Sequence, residues 1–544
     1  MDSDKHGAMV LWYRQPAEAW LKALPVGNGR LGAMVFGSAP EERLQLNEES
    51  LWAGGLKHNQ QPSALAHLAE VRELLAAERF EEAERLADEF LFGEPRRMKP
   101  YQTLGDLRLV FEGHEGVAGY HRQLDLSTGV VSTSYRLGNA HYSRHVFCSA
   151  VDHVLVVRCE RQNMKQTGFL LKSGWGRGMR ILAGLGREAD AVTEALGEDT
   201  LLLQGQIDGG SGVTYQVRLT ADPGDGAVYV EDGHLVVEDT DEVTFILAAA
   251  TSYHDRDPKE ACEEQVVTAR RKPYAVLHDN HVADHRRLFE RFSLRLGGDD
   301  RSDLPTDERL AAVRQGAEDP GLVALYAQYG RYLLMASSRP GALPANLQGI
   351  WNDRLDPPWN CDYHLNINLP MNYWHAESTN LAECHEPLFS HLDSLRTAGR
   401  RTARVHYGAK GYVVHHINDI WGWTTPSDGL SSGLWPTGAA WLCQHLWSHW
   451  RYSGDQAFLE RVYPCLKEAA EFFLGYLVED TEGHLVSGPS LSPENAFITP
   501  AGGKAWLCLG PSMDQQIIGE LLANTVAAAE VLGCDAELAD RLRT

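Results

Sequence analysis

Asn366 and Asn368 stand two residues apart inside the stretch 346–380, NLQGIWNDRLDPPWNCDYHLNINLPMNYWHAESTN, and His364 precedes the first of them by two. Pro370 disfavours helical backbone at Leu369, so the HLNINL run is expected to enter the proline as extended chain. Side chains two apart on extended chain point the same way. His364, Asn366 and Asn368 then line one side, with Leu365, Ile367 and Leu369 anchored behind. Trp351, Trp359, Tyr363, Tyr373 and Trp374 surround them in sequence. Amides and an imidazole donate to and accept from hydroxyls, while indole faces cover the C–H patches of a pyranose. The pattern is that of a sugar site. Its alternative is a loop whose asparagines tie off backbone groups.

Glu494 lies in VSGPSLSPENAF, where Pro493 and the neighbouring Ser and Gly specify a loop and Phe497 offers an apolar side. A carboxyl desolvated by an aromatic wall is held protonated, the state a general acid needs. A solvated loop glutamate is the alternative. Asp353, Asp356, Asp362, Asp419 and Asp428 are further loop carboxylates, and the sequence leaves open which of them faces Glu494. Nine of the fourteen tryptophans fall between 351 and 450, and they divide by context. Trp441, Trp447 and Trp450 belong to helix core by their spacing. Trp421, Trp423 and Trp435 sit in the loop NDIWGWTTPSDGLSSGLWPTG, where helix packing does not explain an indole and ligand stacking competes with burial.

Three other patterns are set aside. Gly27 to Gly32 matches G-x-G-x-x-G, but AMVFGS follows as strand rather than the helix a dinucleotide site requires, so a glycine-rich β-turn is expected. Cys361 precedes His364 by three residues, yet nothing nearby depresses the thiol pKa. His415 and His416 point opposite ways in extended chain, poor geometry for joint metal ligation with Asp419. His416 and Asp419 are therefore taken as sugar-contacting or structural, and no metal is expected.

The elements that position these residues divide along the chain. At 544 residues, a length prior of roughly 150 per domain suggests several units. From residue 8 to about 257, short β-branched runs punctuated by Gly, Asp and Asn predict an antiparallel β-sandwich, interrupted by a helical stretch at 62–92. Residues 258–305 read as a helical linker ending in the polar DDRSDLPTD. Residues 306–544 are almost wholly amphipathic helix joined by long loops, which suits a helical toroid with a site at one end. The class is thus α+β, multidomain.

With 50 Lys and Arg against 74 Asp and Glu, the net charge of −24 argues against nucleic acid or an anionic membrane and suits a neutral partner. No run approaches the length of a membrane span. The N-terminus lacks the pattern of a secretory signal, and the nine scattered cysteines read as reduced, so a cytoplasmic location is expected. Oligomeric state is not legible.

Taken together, LWYRQPAEAWLKALPVGNGRLGAMVFG, YQTLGDL, LPANLQGIWN, HLNINLPMNYWHAESTNL, GLWPTGAAW and PSLSPEN, in order from about residue 11 to the end, resemble glycoside hydrolase family 95. That family consists chiefly of α-L-fucosidases acting on α-1,2-linked fucose, with some α-L-galactosidase activity. The resemblance implies an N-terminal β-sandwich, a helical linker, an (α/α)6 barrel carrying the active site and a C-terminal β domain. It implies hydrolysis with inversion and without a cofactor, on a fucosylated oligosaccharide. Glu494 matches the acid, Asn366 and Asn368 match the residues that hold the attacking water, and His364 and Trp435 match sugar contacts. Trp421, His416 and Asp419 are added as candidate sugar contacts from their loops. The family's base aspartate lies well beyond the acid loop, whereas this chain ends 50 residues after Glu494, so an incomplete barrel and an absent base are expected. The rivals are a glycoside phosphorylase, which needs basic residues near the acid where only Lys504 is seen, and a non-catalytic sugar-binding protein.

Overall fold

The computed structural model describes residues 9–56, 58–163, 178–253, 255–298 and 301–543. The expected domain start at residue 8, the first two residues of DDRSDLPTD and Thr544 lie outside them. The described chain divides into two units, one of residues 1–53, 101–357 and 379–384, the other of 54–100, 358–378 and 385–544.

In the first unit, alternation builds the sheets. Along Gly105–Phe111, Leu107, Leu109 and Phe111 are buried while Arg108 and Val110 are exposed, the period-two pattern of a strand with one buried face. Among the described residues, nine antiparallel strands form one sheet, running from Val10–Tyr13 at one edge through Ala118–Asp125, Val130–Leu137, Ala140–Ser149, Val154–Asn163, Glu242–Thr251, Thr214–Asp222 and Thr200–Gln206 to Val192–Ala195. Seven more form a second sheet, in the order Ala227–Glu231, His234–Thr240, Met179–Gly186, Gly105–Phe111, Glu41–Glu48, Leu31–Val35 and Leu24–Gly27. Gly27 pairs with Gly32 across an antiparallel hairpin, and the Asn28 side chain accepts from the backbone N–H of Arg30 and Leu31. The G-x-G-x-x-G run is a β-turn, as its flanking strands require.

The strand Val154–Asn163 opens on four consecutive buried residues because both of its faces are covered. Val154 and Val156 pack with Phe147, Ile246 and Ala248 against Ala261, Cys262, Val266 and Ala269. Those last four lie on the helix Pro258–Arg270, which Asp257 caps through the N–H of Lys259 with proline at its start. Phe147→Ala is the single change that would open this layer, at about 3–5 kcal/mol.

The helices Thr306–Arg314 and Pro320–Ser337 also belong to this unit. The Thr306 hydroxyl accepts from the Trp12 N–H at 3.0 Å, and the Tyr332 hydroxyl donates to the Pro25 carbonyl at 2.7 Å. A boundary at residue 306 therefore cuts through one packed body.

The second unit is helical: Ala64–Ala76, Phe80–Phe90, Asn368–Tyr373, Glu386–Tyr407, Gly438–Ser453, Gln456–Tyr476, Ser512–Leu532 and Ala536–Arg543. The helical excursion at 62–92 belongs here rather than to the sandwich. Arg72 donates to the carbonyls of Tyr476 at 2.6 Å and Gly488 at 2.8 Å, contacts more than 400 residues away that no local pattern reveals. Gly454, with φ near +65°, ends one helix, and the Asp455 carboxylate caps the next through the N–H groups of Ala457 and Phe458. No helix among the described residues is long and apolar enough to cross a membrane.

Candidate active site

Within the second unit, a two-residue ladder brings the two sequence clusters together. Tyr363 pairs with Asn418 and His364 with Ile417, antiparallel, and the Leu365 N–H donates to the His416 carbonyl at 2.7 Å. Tyr363 and Leu365 face inward and are buried. His364 consequently faces the other way and meets Asp362, with Nδ1 and Oδ1 2.7 Å apart. His416 sits nearby, its Nε2 3.3 Å from Oδ2 of Asp428.

Burial pulls the His364 pKa down, but the Asp362 hydrogen bond and charge, with those of Asp428 and Glu494, together raise it above the ordinary imidazole value. Burial likewise raises the pKa of Asp362, whereas the His416 hydrogen bond lowers that of Asp428. The outcome is an imidazole whose proton is held more firmly than usual, with Asp362 beside it and two further carboxylates, Asp428 and Glu494, open to solvent. Such a site holds a polar neutral ligand by charge-assisted hydrogen bonds.

Two asparagines follow, but not as the extended run predicts. The backbone turns at Ile367, and a helix opens at Asn368 and runs to Tyr373. Pro370 is its third residue, where the missing N–H is one the helix leaves unpaired in any case. Asn366 is buried with its Oδ1 unpartnered, while Asn368 is half-buried. A buried amide oxygen without a donor costs about 1–3 kcal/mol, and a ligand hydroxyl or water meets that need.

The aromatic wall also disperses. Tyr363 and Tyr373 are core, and Trp351 belongs to the first unit, where its indole N–H donates to Val26 at 3.0 Å. Trp359 and Trp374 alone of the five present exposed faces, at 73% and 57%.

Glu494 is exposed, not desolvated. Phe497 turns away from it and meets Phe80 edge-on, with centroids 5.2 Å apart. The loop carrying Glu494 is nonetheless fixed: Tyr476 donates to the Pro489 carbonyl at 2.7 Å, Ser490 pairs through its backbone with Cys508, and the Ser487 hydroxyl donates to Asp514 at 2.9 Å. Asp514 is fully buried, also takes the Thr437 hydroxyl at 3.4 Å, and burial pushes its pKa up to about 7.

A carboxyl protonated in the fold up to about 7 but ionised near 3.8 when unfolded costs stability progressively as pH rises through that window. Asp514→Asn removes the cost. Its melting temperature is expected to exceed the wild type's at pH 8, with the difference shrinking toward pH 5. A lower value at both pH values refutes the assignment.

The remaining sequence candidates separate. Trp435 is 0% exposed and packs edge-on against Trp441 at 6.0 Å, so its ring offers no face to a sugar. Asp419 accepts from the N–H groups of Trp421 and Trp423, at 2.9 and 3.1 Å; it shapes the loop rather than reaching outward. His416 is buried and braces Asp428. His415 joins Tyr407 and the Thr424 carbonyl, each at 2.7 Å. Trp421 is half-buried beside Gly54 and keeps a surface to offer.

Sequence reasoning named Asp362 and Asp428 only among loop carboxylates, and it missed Asp514. The spacing of Asp362 and His364, two residues apart where the chain enters the strand Tyr363–His364, was the available signal for the first. A groove of about 1070 Å³ in the first unit, lined by Leu11, Tyr13, Leu310, Val323 and Tyr326 among others, contains none of the candidates.

The chain thus carries a sandwich in one unit and a carboxylate–imidazole–amide cluster among helices in the other, and its similarity to known proteins places it among the glycoside hydrolases. Residues 11–256 match the glycosyl hydrolase family 65 N-terminal domain, and residues 273–544 match the glycosyl hydrolase family 95 catalytic domain. The chain belongs to glycosyl hydrolase family 95. It is similar to Alpha-L-fucosidase 2 of Arabidopsis thaliana, 36% identical across 96% of this chain and 65% of that protein. It is similar also to the Aspergillus niger protein named "Probable alpha-fucosidase A", 32% identical across 94% and 66%. The chain thus spans about two thirds of the length of these curated relatives. Among solved structures, a chain assigned as a kojibiose phosphorylase from the human microbiome matches with a TM-score of 0.62 and 7% identity, over 99% of this chain and 69% of that one. That likeness is one of fold alone.

Proposed function

We propose that this site serves an exo-acting α-L-fucosidase that removes terminal, chiefly α-1,2-linked, fucose from oligosaccharides with inversion. The helices of the second unit are assigned, on the same footing, to an (α/α)6 toroid. One observation carries the reading: the buried, unpartnered Oδ1 of Asn366 lies two residues from His364, which meets Asp362 at 2.7 Å and lies within electrostatic reach of Glu494.

In the proposed reaction, Glu494 donates its proton to the glycosidic oxygen as the bond from that oxygen to the anomeric carbon breaks. A water held by Asn366 and Asn368 attacks the anomeric carbon from the opposite face and yields its proton to a base. The resemblance assigns that base to an aspartate on the C-terminal side of the acid loop. His364, oriented by Asp362, binds ring hydroxyls, and Trp421 flanks them. The exposure of Glu494 fits an acid whose desolvation is completed by bound substrate, since apo geometry commonly tightens only in the complex.

The test follows the anomeric protons of 2′-fucosyllactose by NMR, with the 544-residue chain and with a version extended to the relatives' length. The extended chain is expected to release β-L-fucose first, and the 544-residue chain to turn over far more slowly. Release of α-L-fucose first overturns inversion. Turnover that requires inorganic phosphate selects the phosphorylase reading, and binding without turnover in the extended chain selects the sugar-binding one.

A further inference from the structure

A second polar cluster lies in the helical unit, outside the candidate active site and unused by the proposed chemistry. Oε1 of Glu377 takes Nδ1 of His385 at 2.8 Å and Nδ1 of His449 at 2.7 Å. Nε2 of His385 in turn meets Nδ1 of His445 at 2.9 Å. The donor atoms of Glu377, His385 and His449 all lie within 4.8 Å of one another.

Their rings are held in place. His385 stacks on Tyr373 with centroids 5.2 Å apart and 7° between planes. His449 is wedged between Phe389 and Phe458, at 5.1 and 4.2 Å. His385 is 1% exposed, whereas the side chain of His449 is 15% exposed, so the cluster has a buried floor and a partly open side.

We propose that Glu377, His385 and His449 form a site for a divalent transition-metal ion of the zinc type, with water in a fourth position. Two imidazoles and one carboxylate are a donor set suited to that ion, and a calcium or magnesium ion would ask for oxygens instead. Tetrahedral donors about 2.0–2.2 Å from zinc stand roughly 3.4 Å apart. The two contacts to Glu377 need only lengthen by some tenths of an ångström to admit it.

The protons balance. Each imidazole now offers an Nδ1 proton to the carboxylate. When the metal takes Nδ1 of His385, its proton resides on Nε2 and is donated to Nδ1 of His445, whose own proton moves to Nε2. A ligand histidine that donates its second N–H to a neighbour is the usual supporting arrangement. Such an ion would pin the chain that follows Asn368–Tyr373 to the helices Glu386–Tyr407 and Gly438–Ser453, a structural role independent of the hydrolase reading. Sequence reasoning expected no metal, because these ligands are 8 and 64 residues apart along the chain.

The test uses the full 544-residue chain, stripped with chelator and titrated with Co²⁺ as a spectroscopic stand-in and with Zn²⁺ by calorimetry. One equivalent of each is expected, with visible d–d bands of a tetrahedral nitrogen–oxygen site. Glu377→Gln and His449→Leu should abolish the bands, and His445→Ala should weaken binding by about 10–100-fold. Circular dichroism identifies any variant that fails to fold, and anomalous diffraction from zinc-soaked wild-type crystals then locates the ion directly. Absence of stoichiometric binding, unchanged bands in His449→Leu, or thiolate charge-transfer absorption marking capture by a cysteine overturns the proposal.

Discussion

Glu494→Gln, introduced into a chain extended to the relatives' length, is expected to lose about 10²–10⁴-fold in turnover of 2′-fucosyllactose while keeping much of its activity on α-L-fucosyl fluoride. The difference lies in the leaving group. A sugar alkoxide departs only when protonated, whereas fluoride leaves without a proton, so removing a general acid penalises the first reaction selectively. The substitution is isosteric, and Glu494 is exposed. Its loop is held by Tyr476 and Ser487 and through Asp514, none of which contacts are altered. A loss of activity therefore cannot be assigned to unfolding. Equal loss on both substrates would point to a binding role for Glu494, and retained activity on 2′-fucosyllactose would end its assignment as the acid.

What could be read from the sequence stops where the chain leaves local rules. The alternation in Gly105–Phe111 and the strand after the glycines of 27–32 were legible, because a strand's two faces are written in adjacent residues. The extended backbone at Tyr363 and His364 was legible, but the run was carried one turn too far: Pro370 is compatible with a helix's first turn as well as with a strand. Trp435 shows a second limit. An indole in a loop was taken as available to ligand, yet residues 432–437 of that loop are themselves buried, so exposure did not follow from irregular backbone.

The same holds for the site's carboxylates. Asp428 reaches His416 across 12 residues of irregular chain, with its backbone in the left-handed region at φ near +60°. The packing of one stretch was hidden for a related reason. The helical excursion at 62–92 was visible as helix, but which body it packs on is decided by Arg72 meeting Gly488, a long-range fact. His445 and His449, four apart on one helix face, were the single local trace of the Glu377 cluster.

Arg144→Met is expected to cost the first unit about 3–5 kcal/mol. Arg144 and Glu42 lie on facing positions of the two sheets, 3.1 Å apart, at 2% and 0% exposure. Arg144 also donates to the Ser38 carbonyl at 2.5 Å and lies over the Phe111 ring at 4.5 Å, while Glu42 accepts from the Gly37 N–H at 2.7 Å. Met replaces much of the arginine's volume, so the loss is mainly that of charge compensation. Burial already raises the Glu42 pKa despite Arg144, and without the guanidinium that rise is larger. A carboxyl whose folded pKa lies above its unfolded value costs stability as pH climbs past the unfolded value, near 4.5. The deficit of Arg144→Met should accordingly be greater at pH 8 than at pH 5, read as the shift in urea midpoint of the sandwich transition. The double variant Arg144→Met with Glu42→Leu should recover a large part of it, because a buried ion pair replaced whole by apolar groups leaves no stranded charge. A deficit independent of pH, or a double variant no better than the single, would show that Arg144 acts by packing on Phe111 and not by neutralising Glu42.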